Sequence, residues 1–532
     1  MQAEITAKLE EITRYLKPFL PLANCHMVNF ITQDVWKTHV PDAIRREIAS
    51  VKVEILDQIF VDHASGVPVN ELNGELGSSC PNFIHFLNSA RNACLRGSPG
   101  RRVIITRSEF QKKLAEWAYH DNQESLHVEQ FMTRKKMHEV EVMSQMVAAL
   151  ADVSGASYVV DVGGGKGYLS SILALHHGLR VLGVDSSQVN THGAAKRSKK
   201  LEKQWSGLCR RADILKQGNI PPKRGKHWKS RSNLESSDDC KCETTEDDGE
   251  TASKNQTTNG TLYKQVTAFV TQLTDLRNLV KEQFECEDCE NLALAGLHTC
   301  GDLAATCLRI FVNREEFSSL CNVGCCYHLL EEEYVRSPFW TDVEPPLPAG
   351  VQFGFPMSEF LNRQEFSLGR NARMLSAQAL DRIGENHQLT SEPLFFRALL
   401  QVLLIRKCGE HIPWGQVGRL KYQNFVDYVQ KAVQKLHLSI EVSEDEIEAL
   451  HRNYLNEQQQ LHVFFLLRLS LAPVIETVIL LDRLLYLHEK GIQESYLVQL
   501  FDPVISPRCY CIISLKNPPE KTVIEKEENV PC

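Results

Sequence analysis

The spacing of apolar and polar positions divides the chain into segments of different character. Over residues 1 to 150, apolar side chains such as Leu9, Ile12 and Leu16 recur at helical spacing, so this region is predicted as helices. The next segment, YVVDV at 158–162, is apolar except for one acid. That composition is typical of a strand buried on both faces of a parallel sheet.

The strand at 158–162 begins a βαβ unit. A glycine-rich turn, a predicted helix over 169–176 and a second apolar strand over 180–185 follow it in order. Further apolar runs predict strands at 266–271, 292–297, 320–327, 496–501 and 509–515, with a helix at 303–312. The predicted fold class is therefore α/β: a doubly wound, Rossmann-like sheet with an N-terminal helical region and a large helical insertion before the last strands.

These patterns predict five consecutive segments. They are an N-terminal helical region, a sheet core, a helical insertion that forms a substrate lobe, a C-terminal helix with strands that complete the sheet, and a flexible tail, at 1–150, 151–328, 329–470, 471–516 and 517–532. Within the core, residues 216–262 lose all periodicity and divide into a basic half and an acidic half. Such a composition predicts a disordered insertion.

Composition excludes several classes of protein. The 532 residues are 43% hydrophobic and 24% charged, as in ordinary globular proteins. The net charge of −8 gives no sign of a nucleic-acid binder, so an RNA partner would need a local basic patch. The N-terminus lacks a signal-peptide pattern, which predicts reduced thiols for the 17 cysteines and a cytoplasmic or nuclear location. Four charges interrupt the apolar stretch 461–487, which predicts a buried helix and no membrane contact. The oligomeric state is not predicted.

The turn after the first core strand is the main candidate for cofactor binding. It reads DVGGGKG, with Asp161, Gly163, Gly165 and Gly167, and Asp185 ends the next strand, where a carboxylate can accept ribose hydroxyls. The pyrophosphate of a dinucleotide would be repelled by Asp161. S-adenosylmethionine carries an ammonium, a sulfonium and no phosphate, so it is favoured over NAD(P).

A further candidate for cofactor binding is Asp213, in the segment RADIL. If a third strand preceded this segment, the acid and the apolar residues beside it would contact an adenine ring. The alternative is a surface carboxylate at the end of a strand.

Two blocks at predicted strand ends supply the candidates for catalysis. HTCGD contains His298, Cys300 and Asp302, and GCCYH ends with His328. Ligands of α/β sheets bind at the carboxyl ends of strands. A histidine there is suited to act as a general base because imidazole titrates near neutrality, and Cys300 is the alternative, a nucleophile.

The cysteines are not predicted to bind a metal. Cys325 and Cys326 are neighbours in a predicted strand, so they are expected to point to opposite faces. A structural zinc site is not predicted either, because no second pair of suitable spacing accompanies Cys286 and Cys289.

Seven motifs together resemble the methyltransferase-like protein 25 family. They are MTRKKMHEV at 132–140, DVGGGKGYLS at 161–170, GLHTCGDL at 296–303, VGCCYHLL at 323–330, GFPMS at 354–358, GRNARM at 369–374 and SPRCY at 506–510. The resemblance implies a methyltransferase sheet that uses S-adenosylmethionine, with no assigned acceptor. The cofactor residues that it implies are Asp161, Gly163, Gly165, Gly167, Asp185 and Asp213. The substrate-facing residues that it implies are His298, Cys300, Asp302, Tyr327 and His328. The HxCG block also resembles, more weakly, the transfer-RNA 2′-O-methyltransferases that act on the acceptor stem.

The predicted function is methyl transfer from S-adenosylmethionine, with RNA slightly favoured as the acceptor. Candidate phosphate contacts are Arg134, Lys135, Lys136, Arg370 and Arg373. Two alternatives remain: a catalytically silent scaffold that binds S-adenosylmethionine, and an NAD(P)-binding oxidoreductase.

Overall fold

The structure is a computed structural model. It describes residues 1–66, 80–95, 103–117, 119, 132–217, 262–287, 289–334, 352–386, 389, 391–409, 417–418 and 420–519. Most of the predicted insertion at 216–262 and of the predicted tail at 517–532 lies outside these residues.

Within the described residues, eight strands form one sheet. They are β1 Ile104–Thr106, β2 Tyr158–Val162, β3 Arg180–Asp185, β4 Tyr263–Thr267, β5 Leu292–Cys300, β6 Phe317–Cys325, β7 Glu494–Gln499 and β8 Tyr510–Leu515. Their order across the sheet is β1-β7-β8-β6-β5-β2-β3-β4. All pairs are parallel except those of β8, which is antiparallel to β6 and to β7. The predicted α/β class with a late return of the last strands is confirmed.

The strand order reverses at the centre of this sheet. From β2 the chain proceeds outward through β3 to β4, and it then returns to place β5 on the other side of β2. All five residues of β2 are buried, which explains why its sequence carries almost no polar side chain. A reversal of this kind leaves a crevice at the carboxyl ends of the central strands. The ends of β2, β3 and β5 are therefore the place to look for a site.

Helices surround the sheet and form the N-terminal region. That region contains α1 Gln2–Leu16, α2 Leu20–Asn24, α3 Val35–His39, α4 Asp42–Ile48, α5 Val53–Ala64, α6 Pro81–Ala93 and α7 Arg107–Glu116. The helices of the core are α8 Arg134–Val153, α9 Tyr168–Leu175, α10 Gln188–Lys216, α11 Leu276–Phe284 and α12 Asp302–Asn313. After β6 come α13 Glu359–Arg363, α14 Arg370–Leu375, α15 Leu380–Asn386, α16 Glu392–Cys408, α17 Phe425–Lys435, α18 Glu444–Asn453 and α19 Leu455–Glu489.

The long helix α19 joins the helical regions to the sheet. It has the length and composition of a membrane span, but 89% of its most apolar window is buried inside the protein, which confirms the predicted buried helix. It packs against α1, α6 and α14 and against β7, so both helical regions share one hydrophobic core with the sheet. The predicted boundaries at 150/151 and 470/471 therefore fall inside single helices, α8 and α19.

Candidate active site

The turn between β2 and α9 is built from glycines that no other residue would replace without strain. Gly163, Gly165 and Gly167 have φ angles of +73°, +55° and +69°, in the left-handed region. The N–H of Gly163 donates to the carbonyl oxygen of Val184 at 2.8 Å, which fixes the turn to β3. A Cβ on Gly167 would lie 2.5 Å from the Tyr263 hydroxyl. At these three positions the turn presents backbone rather than a side chain, and the exposed side chain in the turn is that of Lys166.

Asp185, the last residue of β3, faces this turn. Its Oδ2 accepts a hydrogen bond from the N–H of Gly165 at 3.0 Å. Its Oδ1 accepts from the N–H of Ser187 at 2.9 Å and from Nδ2 of Asn190 at 3.0 Å. Asp185 is half-buried, so its carboxylate is rigidly held and still accessible to hydroxyl groups of a ligand.

Asp161 lies deeper than Asp185, beneath the glycine turn. It is 1% exposed, and its Oδ2 accepts a hydrogen bond from the Ser170 hydroxyl at 2.6 Å. Burial raises the pKa of Asp161 to about 6, although the Ser170 hydrogen bond and the charge of Lys136 act in the opposite direction. A cation bound at the turn would favour the ionised form of this carboxyl.

The first turn of α8 brings a lysine to the same place. Lys136 is half-buried, and burial lowers its pKa, while the charges of Glu139 and Asp161 oppose that shift. Arg134 and Lys135, the other two basic residues of this turn, are exposed. Lys136, predicted from the sequence as a phosphate contact, is close enough to Asp161 for the two charges to interact.

His298, at the end of β5, pairs with a buried glutamate that the sequence reasoning missed. Its Nε2 lies 3.2 Å from Oε2 of Glu139, and its side chain is 30% exposed. Oε1 of Glu139 accepts from the Ser506 hydroxyl at 2.7 Å. Burial would raise the pKa of Glu139, but the hydrogen bond and charge of His298, the Ser506 hydrogen bond and the charge of Lys135 lower it to about 2. Glu139 is therefore ionised at neutral pH.

Three thiols meet where β5 and β6 end. Sγ of Cys300 lies 3.2 Å from Sγ of Cys325, which lies 3.7 Å from Sγ of Cys326. The prediction that Cys325 and Cys326 face opposite ways is wrong, because Cys326 follows the strand with a φ of +52°, which turns its side chain back. Hydrogen bonding from Cys325 and Cys326 and the charges of His298 and His328 lower the pKa of Cys300 to about 6, although partial desolvation of its sulfur atom opposes this.

The remaining candidates on these strand ends have different environments. His328 is half-buried, and it is close enough to Cys300 for its charge to lower the pKa of that thiol. Asp302 accepts the N–H of Glu331 at 3.0 Å and so holds the segment after β6. Tyr327 is 1% exposed and donates its hydroxyl to Oε1 of Glu476 at 3.0 Å, so the expectation that it faces a substrate is wrong.

The prediction for Asp213 is also wrong. Asp213 is an exposed residue of α10, and the third strand, β4, comes only after the predicted insertion. After β4, the N–H of Ala268 donates to the carbonyl oxygen of Asp185 at 3.0 Å, and Phe269 follows with 78% of its surface exposed. Because Phe269 follows the residue that pairs with Asp185 and its ring is exposed, it is a better candidate than Asp213 for contact with an adenine ring. The small and β-branched residues before it, VTA at 266–268, gave no signal for this role.

Arg373 is not available as a phosphate contact. It is 6% exposed, forms an ion pair with the buried Glu332, and donates to the carbonyl oxygens of Tyr327 and Leu330. Arg370, three residues earlier, is exposed. Arg373 therefore anchors α14 to the segment after β6.

Comparison with known proteins agrees with the fold. Residues 135–333, from α8 to just after β6, match the family described as "Methyltransferase domain". The glycine turn, Asp185 and the strand-end residues all lie inside that span, so the protein is one with a methyltransferase domain.

Two curated relatives match almost the whole chain. The mouse protein named probable methyltransferase-like protein 25 is 31% identical over 96% of this chain and 96% of its own length. The human protein of the same name is 31% identical over 96% of this chain and 97% of its own length. The chain belongs to the methyltransferase-like protein 25 family, which confirms the resemblance found in its motifs. No solved structure matches it.

Proposed function

We propose that the protein is a methyltransferase that binds S-adenosylmethionine at the turn from Gly163 to Gly167. The observation that carries the proposal is the pair of carboxylates around this turn. Asp185 accepts the N–H of Gly165, and the buried Asp161 lies beneath the turn. Acidic groups in these positions favour a ligand that is cationic and carries ribose hydroxyls, and they disfavour a pyrophosphate.

The chain's own residues then supply orientation and proton removal. When bound, S-adenosylmethionine supplies an electrophilic methyl group on a sulfonium. The ionised Glu139 only accepts hydrogen bonds, so it fixes the proton of His298 on Nε2. Nδ1 of His298 is thereby the nitrogen able to accept a proton from a hydroxyl or amine acceptor. Glu139 acts here as a positioning residue for the base.

Titration calorimetry with S-adenosylmethionine tests the cofactor assignment. We expect Gly165→Arg and Asp161→Ala to abolish binding. Gly178→Arg is the matched control. Gly178 also has a φ of +69°, but it precedes β3 and so lies at the amino ends of the strands, away from the glycine turn. Intact affinity in both site variants, or preferential binding of NAD(P), would contradict the proposal. Binding without any methylated product from cellular RNA or protein would instead favour the silent scaffold.

The acceptor that we propose is RNA, and α10 supports it. This helix begins three residues after Asp185, and it carries five exposed basic residues on one face: Lys196, Lys199, Lys200, Lys203 and Arg210. At helical spacing they form a stripe about 20 Å long that leads away from the crevice. Phosphate groups of an RNA strand are the ligands that such a stripe suits.

Charge reversal on this stripe tests the choice of acceptor. We expect the double variant Lys199→Glu/Lys203→Glu to weaken binding of a structured RNA by at least about tenfold at low salt, and to flatten its salt dependence. The same change at the exposed Lys421 and Lys435 is the control. Equal RNA affinity in both double variants would favour a protein or metabolite acceptor.

A further inference from the structure

The three thiols at the ends of β5 and β6 are arranged for a metal ion. The ligand atoms of Cys300, Cys325 and Cys326 all lie within 4.8 Å of one another. We propose that these cysteines bind a Zn²⁺ ion. The proposal departs from the sequence-based expectation of no metal site, because Cys300 lies far from the other two in sequence and joins them only through the pairing of the strands.

The separations of the three sulfur atoms are close to those expected if all three bind the same ion. Tetrahedral zinc holds thiolates at about 2.3 Å, which places two sulfur atoms about 3.8 Å apart. The observed separations are 3.2 Å between Cys300 and Cys325 and 3.7 Å between Cys325 and Cys326. Small rotations of the side chains would bring all three sulfurs to the distance that zinc requires.

The backbone holds the three cysteines in place. Cys300 and Cys325 are direct partners in the pairing of β5 with β6. The N–H of Gly301 donates to the carbonyl oxygen of Cys325 at 3.1 Å, and Cys326 occupies the left-handed region, which few residues other than glycine adopt. A non-glycine residue in that region is strained, so the surrounding structure must hold Cys326 there.

The charge around the cluster suits bound thiolates. Arg483 is 2% exposed, it interacts electrostatically with Cys325, and its Nε and Nη2 have no hydrogen-bond partner among the described residues. Arg508 interacts in the same way with Cys326. Zn²⁺ with three thiolates carries a net charge of about −1, so a buried guanidinium beside it offsets that charge.

The fourth position of the ion would be open. Within the described part of the chain, no fourth histidine, aspartate or glutamate ligand atom lies in the same cluster. Cys300 is exposed, so water can reach the ion from its side. Three protein ligands with an accessible fourth position characterise catalytic rather than structural zinc sites. The inference does not depend on the proposed methyl donor, because zinc binding is measured without it.

Metal analysis of the purified full-length protein tests the site. The protein is loaded with ZnCl₂ under reducing conditions, desalted and analysed by mass spectrometry for zinc. We expect stoichiometric zinc in the wild type, and zinc affinity reduced by at least about tenfold in each of Cys300→Ser, Cys325→Ser and Cys326→Ser. Cys209→Ser, in the half-buried part of α10, is the control and should keep its zinc.

Loading the wild-type protein with CoCl₂ gives a second readout, which does not depend on whether the variants fold. Cobalt bound by three cysteines should show thiolate-to-cobalt charge-transfer absorption. A wild-type protein that takes up no zinc and shows no such absorption would overturn the proposal. Zinc retained by all three serine variants would also overturn it, as would a Cys300–Cys325 disulfide that survives in protein isolated under reducing conditions.

Discussion

Binding of S-adenosylmethionine should weaken at acidic pH because Asp161 must be ionised to attract it. Burial raises the pKa of Asp161 to about 6 in the free protein, from an ordinary value of 3.8. A cation bound nearby favours the carboxylate and returns the pKa towards that ordinary value. Binding therefore releases a proton at mildly acidic pH, so affinity is highest above the free-state pKa and falls as pH drops through it.

The size of this effect follows from the pKa. At about pH 5, only about a tenth of the free protein carries an ionised Asp161, whereas the bound state is almost fully ionised if its pKa returns to 3.8. The dissociation constant should then be about tenfold higher at pH 5 than at pH 8, which corresponds to about 1.4 kcal/mol.

Calorimetry at constant ionic strength over this pH range measures the effect. Repeating each titration in buffers of different ionisation enthalpy counts the protons that binding releases. Asp161→Asn keeps the shape of the side chain and its acceptor for Ser170, and it should bind more weakly with a nearly flat pH profile. A flat profile in the wild type, or an equally steep one in Asp161→Asn, would refute the reasoning.

Two further predictions concern stability, and thermal unfolding measures both. Gly167→Ala should destabilise the fold by at least about 1–2 kcal/mol, because a Cβ in the left-handed region is strained and this one would lie 2.5 Å from the Tyr263 hydroxyl. An unchanged midpoint of thermal unfolding would contradict this prediction. Arg373→Ala should lower the free energy of unfolding by about 3–5 kcal/mol, because it leaves the buried Glu332 without its ion-pair partner. Arg370→Ala, at an exposed position, should have almost no effect. Equal effects of the two variants would contradict the buried ion pair.

The parts of the molecule that follow from local sequence could be predicted. β2 and β3 have the predicted bounds of 158–162 and 180–185, because a strand buried on both faces must be apolar along its length. The glycine turn between β2 and α9 was predictable for a similar reason, since its left-handed positions exclude other residues. The three-residue strand β1 was not, because it is too short to show a period and lies within a helical region.

The parts that depend on distant contacts could not be predicted. Glu139 lies on a helix 159 residues from His298 along the chain, and nothing in the motif around it indicates that pairing. Asp213 was assigned to the end of a third strand, but that strand, β4, begins only at Tyr263, about 50 residues further along the chain. Nothing in the sequence around Asp213 indicates that separation. The proximity of Cys300 to Cys326 could not be predicted either. It depends on the register of β5 with β6 and on the positive φ angle of Cys326 after β6.

The position of β8 has a consequence for work with fragments. β8 forms the only antiparallel pairs of the described sheet, and residues 319–322 of β6 pair with it, yet it comes from the end of the chain. A fragment trimmed to the matched span, 135–333, would expose that side of β6 as a bare edge of unpaired N–H and C=O groups. Such edges recruit strands from other molecules. We expect such a fragment to aggregate, so a shortened version of the protein has to keep the chain through Leu515.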